Sequence, residues 1–160
     1  MLIELLHRRF RMDTKTWLRE MFRKELDLRP PSLARIDDNT MIIYDDKNEP
    51  IACASLANRW TFFELTSVVI DPKHRGKGLS HKLLKKFDKD SVLTFTSNVR
   101  LQSALVKAGF HRRNYPGHIP MLSIIINRIG LLIWMLILLD FKRLVNQIRN
   151  ISKYKLYIKD

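Results

Sequence analysis

The chain has 160 residues, 46% of them apolar and 28% charged. That suits one domain with its own core and excludes a chain disordered throughout. Five glycines and six prolines exclude a collagen-like or linker-rich architecture, and the single Cys53 excludes an internal disulfide or a multi-cysteine zinc site.

The formal net charge of +13 calls for an anionic partner: a nucleic acid, a phosphorylated cofactor or an acidic membrane surface. Residues 1–40 carry nine basic and seven acidic groups and residues 41–72 two and five. Residues 73–118 carry eleven and two, and residues 119–160 seven and two. The excess therefore begins at Lys73.

In residues 1–11 the apolar Leu2, Ile3, Leu5 and Leu6 precede Arg8, Arg9 and Arg11, the reverse of a secretory signal, so none is expected. Asp13-Thr14 then reads as a helix cap. Leu18, Phe22 and Leu26 recur every four residues beside Trp17 and Met21, and Pro30-Pro31 ends the run, which predicts an amphipathic helix over about 14–27. Met41–Tyr44 and Ile51–Leu56, separated by a polar turn, predict an antiparallel hairpin, and Thr61–Ile70 a third strand. Asp45, Asp46 and Glu49 lack the spacing of a calcium loop and read as a solvated turn. Cys53, inside the apolar run Ile51–Ala54, reads as a buried structural thiol.

Leu79, Leu83, Leu84 and Phe87 share one helical face while Lys82, Lys85, Lys86 and Lys89 fall elsewhere. Val92–Thr96 reads as a short buried strand. Asn98 is placed to cap a helix carrying Leu101, Leu105 and Ala108, with Gly109 at its end. The predicted order is α-β-β-β-α-β-α, followed by a C-terminal segment.

Chemistry concentrates in Val68-Val69-Ile70-Asp71-Pro72-Lys73-His74-Arg75-Gly76-Lys77-Gly78-Leu79-Ser80. A strand runs into a loop with two glycines, and a helix begins at once. Gly76 and Gly78 allow close approach of the backbone to a ligand, and the first helical turn offers N–H groups without intrahelical partners. Lys73, Arg75 and Lys77 add positive charge. The arrangement suits a diphosphate. It is not a Walker loop, since no G-x-x-x-x-G-K-[ST] is present.

Lys73-His74-Arg75-Gly76-Lys77-Gly78 resembles the acetyl-CoA loop of the GCN5-related N-acetyltransferase (GNAT) superfamily, whose pattern is [QR]-x-x-G-x-[GA]. The run Asn98 to Phe110, an Asn followed by a helix ending in Gly-Phe, is similar to the family's later motif. The two occur in the family's order, and the resemblance covers roughly residues 12–115. It implies an α+β fold with a mixed, mostly antiparallel central sheet flanked by helices, to which this sequence adds a hydrophobic C-terminal helix. It implies transfer of an acetyl group from acetyl-CoA, or another acyl-CoA, directly to an amine, with no metal. Val68 and Ile70 would pair with the pantetheine arm. Lys73, Arg75, Gly76, Lys77, Gly78, Leu79 and Ser80 would hold the pyrophosphate, with Asn98 completing the cofactor site. Glu64, six residues before Ile70, stands where the histone-acetylating branch places its catalytic Glu and is the candidate general base. His74 and His81 flank the loop, and Tyr115 and His118 are placed to reach the acceptor side. Three positions depart from the family. Lys73 replaces a Gln or Arg, Ser80 a small Gly or Ala, and Leu105 the Tyr that in many members protonates the leaving thiolate.

These readings divide the chain into an acyltransferase core, residues 1–118, and an extension, residues 119–160. Ile119–Leu139 holds 16 apolar residues of 21, long enough to span a bilayer, but Asn127 and Arg128 lie near its middle and both flanks are basic. Three readings stay open: a strand over 121–126 with a buried helix over 129–145, an interfacial helix on an anionic membrane, or a transmembrane anchor. A homodimer through this segment is a further expectation. The leading function is an N-acetyltransferase, cytoplasmic or peripheral to the inner face of a membrane. The alternatives are a catalytically degenerate GNAT-like binding or structural protein and a nucleic-acid-binding module. The last lacks an RNA-recognition motif, a zinc pattern and aromatics within its basic run.

Overall fold

The computed structural model describes residues 13–87, 89 and 91–159; the reading of residues 1–11 lies outside them. Helix α1, Thr14–Lys24, starts at Asp13, whose carboxylate accepts from the Thr16 amide at 3.3 Å. The pattern read from the sequence sets its buried face: Trp17, Leu18, Met21 and Phe22 pack with Ala34, Cys53 and Val69 on one side of the sheet.

Strands β1 (Thr40–Tyr44), β2 (Pro50–Arg59) and β3 (Phe62–Ile70) form an antiparallel meander. The Asp45 carboxylate closes the first turn by accepting from the amides of Lys47 and Glu49. Helix α2 (Leu79–Lys85), strand β4 (Val92–Thr96) and helix α3 (Val99–Lys107) follow in the expected order. Asn98 caps α3 by accepting from the Leu101 amide at 3.1 Å, and Gly109 leaves it with φ 89°. Leu83, Leu84, Phe87 and Leu105 pack with Ala52, Ala54, Leu65 and Phe110 on the opposite side of the sheet from α1.

Beyond α3 the chain departs from its sequence reading. Residues 121–126 are not a strand: they lie within α4, His118–Ile137, which is followed by α5, Phe141–Arg149. Nor is this segment buried, since only Ile124 and Met135 of α4 are inaccessible. Strand β6 (Lys155–Lys159) then enters the sheet between β4 and the short β5 (His111–Arg113), giving the order β1-β2-β3-β4-β6-β5. The result is the expected α+β architecture, a mixed and mostly antiparallel sheet flanked by helices. The two helices interrupt the β5–β6 antiparallel pair, so a division at residue 118 cuts across one sheet.

Arg143 fixes the inserted helices to the rest. It is almost fully buried and donates to the carbonyls of Phe22 (2.8 Å), Glu25 (2.6 Å) and Leu28 (2.8 Å), while its Nε meets Asp140 Oδ2 at 2.9 Å. The carbonyls at and just beyond the end of α1 thus find donors, and α1 stops at Glu25 in extended conformation rather than continuing to residue 27.

Candidate functional site

Strands β3 and β4 are the one parallel pair in the sheet, and they touch only at Phe63–Val92 and Glu64–Leu93. Beyond that point they diverge. A one-residue bulge leaves Thr66 without a partner across β2, and such bulges bend a strand. At the start of the opening Thr94 Oγ1 donates to the Leu65 carbonyl at 3.0 Å. Val68 and Ile70 lie on the diverging half of β3, facing the gap on one edge and paired with β2 on the other.

The gap leads to the glycine loop. Asp71 shapes its entrance by accepting from the Lys73 amide at 2.8 Å. Gly76 and Gly78 adopt φ 84° and 72°, a region that L side chains rarely enter, and a Cβ at either would meet nothing within 4 Å. The glycines therefore serve the backbone turn and leave open space above it. Among the described residues, the amides from Gly78 through His81 donate to no protein acceptor, whereas Arg75 and Gly76 lie in a turn closed by the Lys77 amide; the first bond of α2 runs from Lys82 to Gly78. Free N–H groups at the start of a helix are the kind of group that holds an anion.

Gap and loop belong to one cavity of about 1070 Å³. Glu64, Val68, Ile70, Arg75, Gly76, Gly78, Leu79, Ser80 and Asn98 all line it; Lys73 and Lys77 do not, and stay exposed. The Arg75 guanidinium pairs with Glu25, so this residue offers the loop its position more than its charge. Asn98 spends its side-chain oxygen on the α3 cap. His74 and His81 reach the lining, each with a buried Nδ1 that has no hydrogen-bond partner among the described residues; that of His74 lies 3.7 Å from Asp71 Oδ1. Tyr115 and His118 bond each other at 2.6 Å away from the cavity.

At the other end Glu64 is buried, and both Arg59 contacts, Nε at 3.0 Å and Nη2 at 2.6 Å, converge on its Oε2. Arg29 and Arg128 also line this space. Burial pushes the Arg29 guanidinium below its ordinary value, partly offset by Glu64 and reinforced by Arg59, Arg128 and Arg35. Sequence reasoning missed this cluster. Its one signal was Arg128 interrupting an apolar run, and that residue sits 5.8 Å from the Tyr154 ring.

Leu105 is fully buried in the core and reaches no solvent. Tyr154, from the segment before β6, is the one tyrosine among the described lining residues. Burial, with Asp27 adding to it, raises its phenol above the ordinary value, while Arg128 and a hydrogen bond with Ser97 oppose the rise. Cys53 is buried as expected, its thiol pushed up to about 11 by burial. It has no part in the cavity.

No curated protein matches the sequence. Among solved structures the fold is similar to a crystal structure of N-acetylglutamate synthase from Neisseria gonorrhoeae complexed with coenzyme A and N-acetyl-glutamate, with a TM-score of 0.50 and 12% identity. The match covers 91% of this chain and 31% of that one, so it is a likeness of fold to one part of a longer protein. The model of the acetyltransferase (GNAT) family matches residues 1–92, more than half of the chain. With the diverging parallel strands and the amide-lined glycine loop already placed, the chain belongs to the GNAT acetyltransferase family.

Proposed function

We propose that the protein is an acyl-CoA-dependent N-acyltransferase that uses acetyl-CoA and passes the acetyl group directly to an amine. The observation that carries this reading is the run of free amides from Gly78 to His81 at the end of the β3–β4 opening. Those amides would hold the pyrophosphate, and the free edge of β3 around Val68 and Ile70 would pair with the pantetheine arm. Backbone donors do this work, so Lys73 and Lys77 act from outside as a general positive field.

The reaction forms a C–N bond and breaks the C–S bond of the thioester. The attacking nitrogen must lose a proton and the departing sulfur must gain one. Glu64 is the candidate base: it lies beside the narrow end of the opening, and Arg59 fixes its carboxylate in one orientation. Tyr154 is the candidate acid. Its phenol, held above the ordinary value by burial, keeps a proton to give at neutral pH. This assignment supplies the donor that Leu105 cannot.

A second reading draws support from Leu105 itself. A core leucine where many relatives carry the proton donor suits a domain that binds acyl-CoA without turnover. Incubation with acetyl-CoA and a cell extract, read by mass spectrometry for acetylated amines and by thiol titration for free CoA, separates the two. The acyltransferase reading expects both products to appear in step with protein concentration. Binding of acetyl-CoA with neither product supports the second reading and removes the first.

A further inference from the structure

Helices α4 and α5 carry apolar side chains on the outside. Ile119, Leu122, Ile126, Ile129, Ile133 and Ile137 recur at three- and four-residue steps along α4, and each is at least 50% exposed. In α5 the inversion is sharper. Phe141, Val145 and Ile148 are exposed, while Arg143 and Gln147 point inward, beside Leu144, to the carbonyls of the α1 region. A surface helix in water has the opposite polarity, and apolar exposure along two successive helices marks contact with something other than water.

The charge beside this face selects its partner. Lys142 and Arg149 are exposed seven residues apart, so they share one flank of the α5 stripe, and exposed Lys153 and Lys155 follow. Among the described residues of 118–159 the only acid is Asp140, and Arg143 occupies it. We infer that α4 and α5 dock on an anionic bilayer, lying in its interface with the isoleucine stripe among the acyl chains and Lys142 and Arg149 at the lipid phosphates.

The helix His118–Ile137 is long and apolar enough to cross a membrane, but its inner side is already engaged. Ile124 packs with Phe62, Leu93 and Leu156 of the sheet, and Trp134 Nε1 donates to Ser32 Oγ at 3.2 Å. Arg128 faces the cavity. A span would strip these contacts away, whereas an interfacial helix keeps them. A second copy is the poorer partner, because a two-fold contact would set this basic, acid-free face against itself.

The test is flotation of the full chain with vesicles of pure phosphatidylcholine and of phosphatidylcholine mixed with phosphatidylglycerol, at low and high salt, and it needs no catalysis. The wild type should float with the anionic vesicles and lose much of that binding at high salt. Leu122→Gln/Ile129→Gln/Ile133→Gln, changes at exposed positions, should weaken binding by roughly tenfold or more at an unaltered melting temperature. Lys142→Glu/Arg149→Glu should abolish the preference for anionic lipid while leaving the fold intact. A monomer that ignores both vesicles overturns the proposal. A dimer that ignores vesicles and that the triple glutamine variant dissociates overturns it in favour of a second copy. Vesicle binding that neither variant alters overturns it as well.

Discussion

Glu64 and Tyr154 enter the cavity by different routes, and only one was readable in the sequence. Glu64 stands at a fixed interval from the glycine loop along a single strand, so the family resemblance points to it by its position. Tyr154 comes from a segment 49 residues beyond the position it would replace, and no local pattern links it to Leu105. The loop residues were legible for what they do to the backbone more than for their charge: Gly76 and Gly78 line the cavity, whereas Lys73 and Lys77 remain outside it. If Glu64 accepts the proton of the amine, Glu64→Gln should slow acetyl transfer by roughly 10²-fold with acetyl-CoA affinity unchanged. An acid is active while it keeps its proton, so transfer should hold through neutral pH and fall only as the Tyr154 phenol ionises, above its ordinary value of 10.0. Tyr154→Phe should be slower at neutral pH and should lose that alkaline fall. A pH–rate profile of kcat for both variants checks this pair of roles. An unaltered Tyr154→Phe profile removes the tyrosine from the mechanism.

Elements with caps and breakers could be read closely. Asp13, Asp71-Pro72, Asn98 and Gly109 mark boundaries through hydrogen bonds or backbone angles that the structure contains. The apolar run after residue 118 had no such guide. Met121-Leu122-Ser123-Ile124-Ile125-Ile126 is rich in β-branched residues and short enough to resemble a buried strand, and periodicity alone does not separate that from a helix. What decides is tertiary: Ile124 and Met135 point inward while Ser123 and Asn127 lie on other sides of α4. The polarity of α5 was equally hidden, because Arg143 is an ordinary surface residue until its three carbonyl partners are seen. Removing it leaves the Phe22 carbonyl without a donor and the Glu25 and Leu28 carbonyls with one each, the Leu28 amide and Gln147. Arg143→Met should cost roughly 3–5 kcal/mol, measured by urea unfolding at neutral pH. A loss below about 1 kcal/mol, the size of one ordinary net hydrogen bond, would show that water replaces the guanidinium there.

In the whole molecule the positive charge separates into two regions with different physical settings. One surrounds the cavity that holds the glycine loop, and the other borders the apolar faces of α4 and α5. The two closing strands of the sheet are present, but β5 is only three residues, His111–Arg113, and β6 arrives after the helical insertion. A three-residue strand made of basic side chains gives no strand signal, which is why the sequence suggested an appended tail where the fold has an insertion. On the proposed function, the amide-lined loop between β3 and α2 binds the diphosphate of an acyl-CoA. Isothermal titration of acetyl-CoA into the wild type and Gly76→Glu tests it most directly, with a short oligonucleotide as the competing anion. The glutamate would strain a backbone at φ 84° and place a carboxylate in the open space above the amides. The wild type should bind acetyl-CoA saturably, with affinity weakened by roughly 10-fold or more in a Gly76→Glu protein that still unfolds cooperatively. Equal acetyl-CoA affinity in the two proteins, or binding of the oligonucleotide alone, would contradict it.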